Sequence, residues 1–151
     1  MHISFICTGN ICRSPMADLV FREQLRHAGL ADQVTVTSAG TGAWHLGEPA
    51  DPRTRKVLAD HGYPTEHVAA QLDDEHLSAD LLVAMDNGHL RAVRGLVDEP
   101  EKVRLLRSFD PDAEGAEVDD PYFGGPSGFE DTMTMVESAM PGLLDWVREN
   151  R

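Results

Sequence analysis

A cysteine and an arginine that could handle a phosphate group stand close together in the sequence, at Cys7 and Arg13. A thiolate is a strong nucleophile, and a guanidinium can bind two oxygens of one phosphate at once. The intervening residues are enough for the backbone to curl around a phosphorus atom, and they are Thr8, Gly9, Asn10, Ile11 and Cys12. This spacing predicts a nucleophile and a phosphate clamp on one loop.

The residues after this loop are typical of the start of a helix. Ser14 precedes Pro15, and serine at the cap with proline at the first helical position is a common N-terminal pattern. The unpaired amides and the positive dipole end of a helix bind anions. Gly9 and Asn10 permit the backbone to curl inward. We therefore predict that the loop binds phosphate through its amides, and that Ser14 donates a hydrogen bond to a thiolate at Cys7.

Cleavage of an aryl phosphate also calls for a general acid. A phenol has a pKa of about 10, and protonating it as it leaves is worth roughly 10²–10⁴ in rate. Residues 108–128 are rich in Asp, Gly and Pro, which predicts one long loop, and loops of this length are usually functional. Chemistry alone does not choose between its candidate acids, which are Asp110, Asp112, Asp119 and Asp120.

Apolar strands alternate with amphipathic helices along the whole chain. We predict strands over 2–6, 34–36, 81–84 and 103–106, with a glycine-rich loop over 38–47. We predict helices over 14–27, 52–62, 88–97 and from 127 onward, the last with a kink or break at Pro141. The pattern indicates an α/β fold with a parallel sheet and helices on both faces, in a single domain over 1–151. Ligands bind such sheets at the carboxyl ends of the strands, where the loop at Cys7 lies.

The composition argues against some classes of partner and indicates a cellular compartment. The net charge of -13 argues against binding to nucleic acid or to an anionic membrane surface. We find no apolar run of membrane-spanning length and no signal-peptide pattern, and we expect a cytoplasmic protein, with export by another route left open. The seven histidines show no metal-ligand spacing, so we expect no metal site.

The motif CTGNICRSP at 7–15 resembles the phosphate loop of the low-molecular-weight protein tyrosine phosphatases, and the chain looks most similar to their bacterial branch. Other segments that carry the resemblance are TSAGT (37–41), GEPADPR (47–53), HGYP (61–64), EHVAAQ (66–71), AMD (84–86) and DDPYFG (119–124). The resemblance implies a four-stranded parallel sheet flanked by helices. It also implies hydrolysis of phosphotyrosine through a cysteinyl-phosphate intermediate, without a cofactor.

The resemblance assigns further residues. In the family, the general acid is the aspartate immediately before Pro-Tyr, and this position is Asp120 here. At the position of Ile11, relatives that act on phosphoarginine have a residue that resembles threonine. The isoleucine here therefore favours an aromatic substrate. The resemblance also implies a deep pocket with aromatic walls, formed by Trp44, Tyr122 and Phe123. Phosphoserine would be too short to reach the sulfur in such a pocket.

Two supporting roles also follow from the resemblance. Asn10, Ser38 and His67 resemble a network that holds the loop in its shape. Cys12 would form a disulfide with Cys7 that protects the nucleophile from over-oxidation. Alternatively, Cys12 is a small buried side chain that only packs in the core. The sequence leaves the disulfide and the packing role open.

Two other functions compete with the phosphatase. An arsenate reductase with this loop would need further cysteines to pass a disulfide along, and the chain has only Cys7 and Cys12. A phosphotyrosine-binding module would keep the loop without the acid, and Asp120 argues against it. We expect a monomer that acts on tyrosine-phosphorylated proteins, and the sequence leaves open whether a cognate tyrosine kinase is a further partner.

Overall fold

Four strands form the sheet of the computed structural model, which describes residues 1–113, 116–122 and 126–151. The strands are β1 (His2–Cys7), β2 (Thr35–Gly40), β3 (Leu81–Ala84) and β4 (Val103–Leu105). All of them pair in parallel, in the order β2-β1-β3-β4. Ile6 pairs with Ala39 on one side and with Ala84 on the other, so β1, β2 and β3 end at one edge.

Helices lie on both faces of this sheet. They are α1 (Arg13–His27), α2 (Pro52–Asp60), α3 (Asp74–Leu77), α4 (Asn87–Arg94) and α5 (Pro126–Asn150). Ile3 and Phe5 of β1 pack in the larger apolar cluster with α1, α2 and α5. Ile6 and Leu82 pack in a second cluster with side chains of α3 and α4, because side chains alternate across a strand. The predicted four-stranded parallel sheet with helices on both faces is confirmed.

In the last helix, the burial of a periodic apolar stripe outweighs the tendency of Pro141 to break the helix. Its predicted stripe is fully buried, at Phe129, Met133, Val136, Met140, Leu143 and Val147. Of the kink or break predicted at Pro141, the break is wrong, since α5 continues through this residue to Asn150, and the kink stays a prediction. Burial of the stripe offsets the backbone hydrogen bond that proline removes. A Cβ on Gly142 would lie 1.9 Å from the carbonyl oxygen of Phe109, so this glycine allows a close approach.

Other boundaries also differ from the prediction. Residues 38–40 belong to β2 and not to a loop, and α4 ends at Arg94, short of residue 97. The segment 108–128 is not one loop, because a 3-10 helix covers Leu106–Phe109 and α5 starts at Pro126. None of the helices in the described ranges has both the length and the apolar character needed to cross a membrane.

Candidate functional site

The sulfur of Cys7 lies at the floor of a pocket where β1 meets α1. Its side chain is 3% exposed, and Sγ lies 2.9 Å from Ser14 Oγ. Asn10 Nδ2 donates to that same hydroxyl oxygen at 2.7 Å. An amide nitrogen can only donate, so the hydrogen of Ser14 is free to be donated to the sulfur. This arrangement stabilises a thiolate at Cys7.

The helix start was predicted wrongly at Ser14. The N-cap is Cys12, whose side chain makes no capping hydrogen bond, and Arg13 is the first helical residue. The hydroxyl of Ser14 therefore serves the sulfur and not the end of the helix. We call residues 7–14 the phosphate loop.

Asn10 holds the phosphate loop in its curled shape. It is fully buried and has a φ of 58°, the left-handed conformation expected of it. Its Nδ2 donates to Ser38 Oγ at 3.1 Å, and its Oδ1 accepts from the amide of Ala70 at 2.9 Å. His67 Nε2 donates to the carbonyl of Asn10 at 2.8 Å, and burial lowers the pKa of this histidine. The structure thus brings Asn10, Ser38 and His67 together.

The backbone of the phosphate loop points its carbonyls away from the pocket. Neighbouring amides bind three of them, in the pairs Thr41 to Cys7 (2.9 Å), Gly42 to Thr8 (3.0 Å) and Asp51 to Ile11 (2.9 Å). Within the described part of the chain, no backbone hydrogen bond uses an amide of residues 8–12 as donor. Those amides, beside the N-terminus of α1, form an anion-binding nest.

Gly40 allows this loop to lie against β2. A Cβ at this position would lie 2.6 Å from the carbonyl oxygen of Thr8 and 3.1 Å from the amide nitrogen of Asn10. No other residue type fits between the strand and the loop without a shift of backbone. The segment TSAGT therefore provides strand residues, the Ser38 hydroxyl and a glycine contact.

Arg13 lies at the side of the pocket, where two groups fix one side of its guanidinium. Its side chain is 3% exposed, and Nη1 donates to Asp86 Oδ2 and to the carbonyl of Val118, each at 3.0 Å. Nη2 lies 3.4 Å from Thr8 Oγ1 and 3.6 Å from Asp120 Oδ2. The guanidinium is thus fixed on one side while its other nitrogen lies among the groups that line the pocket.

Of the four candidate acids, the structure brings only Asp120 to the pocket. Asp110 is buried and accepts the amide of Asp112 at 3.0 Å. The segment 116–122, which we call the acid segment, is anchored where Val118 donates to the carbonyl of Met85 at 2.8 Å. The side chain of Asp120 keeps 40% of its surface exposed, so it can exchange protons with solvent.

The walls of the pocket are largely apolar. Ile11, Trp44 and Tyr122 line it, as the sequence predicted, and Trp44 remains 74% exposed at the mouth. Phe123, the remaining predicted wall residue, lies outside the described residues. His45 also lines the pocket, and sequence reasoning missed it because nothing in its spacing distinguishes it from a surface histidine.

Cys12 lines the same pocket as an un-ionised thiol. Burial, reinforced by the charge of Asp51, raises its pKa to about 12. Both cysteines are free, so the disulfide between Cys7 and Cys12 stays a prediction.

Sequence reasoning also missed a pair of residues behind Arg13. Asp86 follows β3 and caps α4, where it accepts the amide of His89 at 2.9 Å. Burial opposes ionisation of Asp86, yet the His89 amide, the His89 ring and Arg13 together lower its pKa. A signal was present, because an aspartate directly after a buried parallel strand lies at the ligand-binding edge.

A second missed pair connects the acid segment to α2. Asp51 caps α2 and binds the Arg53 guanidinium at 3.0 Å, which holds the pKa of Asp51 low. The Arg53 guanidinium lies 5.4 Å from the ring centre of Tyr122 and 4.6 Å from that of Phe129. This stacking places the acid segment beside α2 and α5.

Across residues 1–113, 116–122 and 126–151, no three His, Cys, Asp or Glu side chains are grouped as metal ligands.

The sequence is similar to one family of known proteins along nearly its whole length. Residues 2–151 match the family model described as low molecular weight phosphotyrosine protein phosphatase. Low molecular weight protein-tyrosine phosphatase A of Mycobacterium tuberculosis is 58% identical over 151 residues, covering 99% of this chain and 93% of the relative.

Solved structures agree in fold but differ in named substrate. A protein tyrosine phosphatase from Entamoeba histolytica superposes with a TM-score of 0.94 at 31% identity, covering 99% of this chain and 98% of its own. A Drosophila arginine phosphatase superposes with a TM-score of 0.87 at 28% identity, covering 97% of this chain and 98% of its own. The fold is thus shared by enzymes named for two different phosphoresidues.

Proposed function

Because the chain belongs to the low molecular weight phosphotyrosine protein phosphatase family, we propose that it hydrolyses phosphotyrosine in proteins with Cys7 as nucleophile and Asp120 as general acid and base. The observation that carries this proposal is the meeting of both residues with Arg13 around one pocket. The buried sulfur and the partly exposed carboxyl group both line the pocket in which the proposed in-line displacement takes place.

In the first step, the thiolate of Cys7 attacks phosphorus, so that an S–P bond forms and the ester O–P bond breaks. The acid form of Asp120 gives its proton to the departing phenol oxygen. The amides of the phosphate loop and the Arg13 guanidinium stabilise the charge on the equatorial oxygens.

In the second step, water attacks the cysteinyl phosphate. The carboxylate of Asp120 takes a proton from this water, and inorganic phosphate leaves as the S–P bond breaks. The electron pair returns to Cys7 as a thiolate, which the Ser14 hydroxyl at 2.9 Å stabilises.

The pocket walls support an aromatic substrate over phosphoarginine. Ile11, Trp44 and Tyr122 offer apolar surface to a phenyl ring. A guanidinium would need polar partners on those walls, and an isoleucine provides none. The relative at 58% identity is named a tyrosine phosphatase, which supports the same choice.

The two competing functions lack support. A disulfide relay would use Cys12 as a thiolate, but its pKa is raised to about 12. A binding module would not need a carboxyl group 3.6 Å from the phosphate-binding arginine.

The proposed partners are tyrosine-phosphorylated proteins and a tyrosine kinase of the same cell, which would supply the substrate. We also place the enzyme in the cytoplasm, as a monomer. The net charge of -13 supports the absence of nucleic-acid and membrane partners.

The function is tested by turnover of p-nitrophenyl phosphate, phenyl phosphate and a phosphotyrosine peptide. Cys7→Ser should abolish turnover of all three while inorganic phosphate still binds. Asp120→Asn should lower kcat/KM, which reports the step in which the phenol leaves, by roughly 10²–10⁴-fold on phenyl phosphate and much less on the p-nitrophenyl ester, whose leaving group needs no proton.

Asp119→Asn is the matched control, because its side chain is exposed and does not line the pocket. Its kinetics should match those of the unaltered chain. Normal turnover by Cys7→Ser, or equal losses in kcat/KM of Asp120→Asn on both esters, would contradict the mechanism. Asp120→Ala used as a substrate trap in cell extract should retain tyrosine-phosphorylated proteins.

A further inference from the structure

A buried histidine lies behind the pocket wall and makes no contact that the proposed chemistry has used. His89 is the third residue of α4 and is 5% exposed. Its Nε2 lies 2.8 Å from Thr8 Oγ1, and Thr8 lines the pocket. The carboxyl ends of β1 and β3 are neighbours, which brings the start of α4 against the phosphate loop.

His89 completes a ring of side chains with the phosphate-binding arginine. Its Nδ1 lies 3.2 Å from Asp86 Oδ1, while Asp86 Oδ2 accepts from Arg13 at 3.0 Å. The ring closes where Arg13 Nη2 approaches Thr8 Oγ1 at 3.4 Å. Among the described residues Nδ1 makes no hydrogen bond of good geometry, and its contact with Asp86 is an ion-pair contact by distance, beside the 2.9 Å hydrogen bond from the His89 amide to the same carboxyl oxygen.

We propose that His89 is a positioning residue for phosphoryl transfer, which fixes the Thr8 hydroxyl and, through Asp86, the Arg13 guanidinium at the pocket wall. The inference rests on the proposed function, because it concerns the groups that bind the transferred phosphate.

The position of the proton on His89 follows from the chemistry of its neighbours. The negative charge of Asp86, 3.2 Å from Nδ1, favours the proton on that nitrogen, so Nε2 accepts the Thr8 hydroxyl hydrogen. The hydroxyl oxygen of Thr8 then keeps a lone pair that accepts the hydrogen bond from Arg13 Nη2. A second proton on the imidazole would turn the Thr8 hydroxyl away and place a cation beside Arg13.

The surroundings of His89 keep this second proton off. Burial lowers its pKa, and Arg13 of α1 acts in the same direction. Asp86 at the cap of α4 and two carboxylates of the acid segment, Asp120 and Glu117, act in the opposite direction but do not overcome burial. The ring is thus intact at neutral pH and opens on acidification.

The test compares His89→Gln and His89→Leu with the unaltered chain in kcat and KM on p-nitrophenyl phosphate, from pH 4.5 to 7.5. Glutamine can still accept from Thr8, whereas leucine cannot. We expect His89→Leu to lower kcat about tenfold, less than the 10²-fold or more lost when a direct oxyanion donor is removed. His89→Gln should recover most of kcat and keep it at lower pH than the unaltered chain.

Two comparisons separate positioning from a role in folding alone. The losses in kcat of His89→Leu and Thr8→Val should not multiply in the double variant, because both break one link. His27→Gln, an exposed histidine at the end of α1, should leave the kinetics and their pH dependence unchanged. Thermal unfolding establishes that each variant is folded, and if His89→Leu is not, the pH profile of His89→Gln decides.

Multiplying losses, or an acid limb of kcat that is unchanged in His89→Gln, would overturn the proposal. Turnover by the unaltered chain tests the proposed function separately, since it is unaffected by the outcome at His89.

Discussion

Asn10 shows how one side chain can decide the shape of a binding loop. Its amide and carbonyl groups bind Ser14, Ser38 and Ala70, and its backbone has a φ of 58°. A buried hydrogen bond lost on one side leaves its partner unsatisfied, at a cost of about 1–3 kcal/mol. The phosphate loop therefore depends on Asn10 for both conformation and stability.

We expect Asn10→Ala to lower the free energy of unfolding by about 3 kcal/mol, since it loses these bonds and leaves alanine in a left-handed conformation. Asn10→Gly loses the same bonds without that strain, so it should be about 1 kcal/mol more stable than the alanine variant. Urea unfolding of the three proteins checks both numbers. Equal stability of the alanine and glycine variants would show that the backbone conformation contributes nothing.

At the scale of elements, the site forms where the ends of three strands meet. β1 delivers Cys7, β2 delivers Ser38 and Gly40, and β3 leads into Asp86. The close contact of Gly40 with the backbone of Thr8 sets the distance between strand and loop.

We expect Gly40→Ala to displace the phosphate loop, because its Cβ would lie 2.6 Å from the Thr8 oxygen. A displacement near 1 Å costs about 10²-fold in rate, and the overpacking about 1–3 kcal/mol in stability. Gly95→Ala is the matched control, since its Cβ would lie 3.5 Å from the closest atom, an ordinary contact. Turnover of p-nitrophenyl phosphate and urea unfolding measure the two effects, and a Gly40→Ala protein as active as the control would contradict this reading of the glycine.

At the scale of the whole molecule, buried histidines couple stability to pH. Burial lowers the pKa of His67 and of His89 from the ordinary value of 6.5. Just below that pH the unfolded chain binds more protons than the fold, so the free energy of unfolding rises with pH. His61 acts in the opposite sense, because its hydrogen bond to Glu130 raises its pKa, but it is exposed and its effect is screened.

We therefore expect stability to fall as the pH is lowered below about 6.5, by at most about 1.4 kcal/mol per pH unit for each such histidine. Urea unfolding at a series of pH values measures this slope. His67→Gln should flatten it, whereas His27→Gln, which changes an exposed histidine, should leave it unchanged. A slope that does not differ between the two variants would rule out His67 as a source.

Local patterns in the sequence determined the strands, the helices and the phosphate loop. Apolar periodicity located the buried stripe of α5, and the spacing from Cys7 to Arg13 indicated the phosphate clamp before any contact was known. These features depend on residues that are near one another in the chain, so their signals survive in the sequence.

Only the tertiary structure decided which distant groups meet. The choice of Asp120 over Asp110 depends on which carboxylate the anchored acid segment brings to the pocket, and the resemblance to a family had only implied it. Ser14 was predicted both as a helix cap and as a partner of the sulfur, and the structure shows only the second, while Asp86 and His89 were given no role. Their contacts join residues 73 and 81 positions apart, and no periodicity encodes a pairing made by neighbouring strand ends.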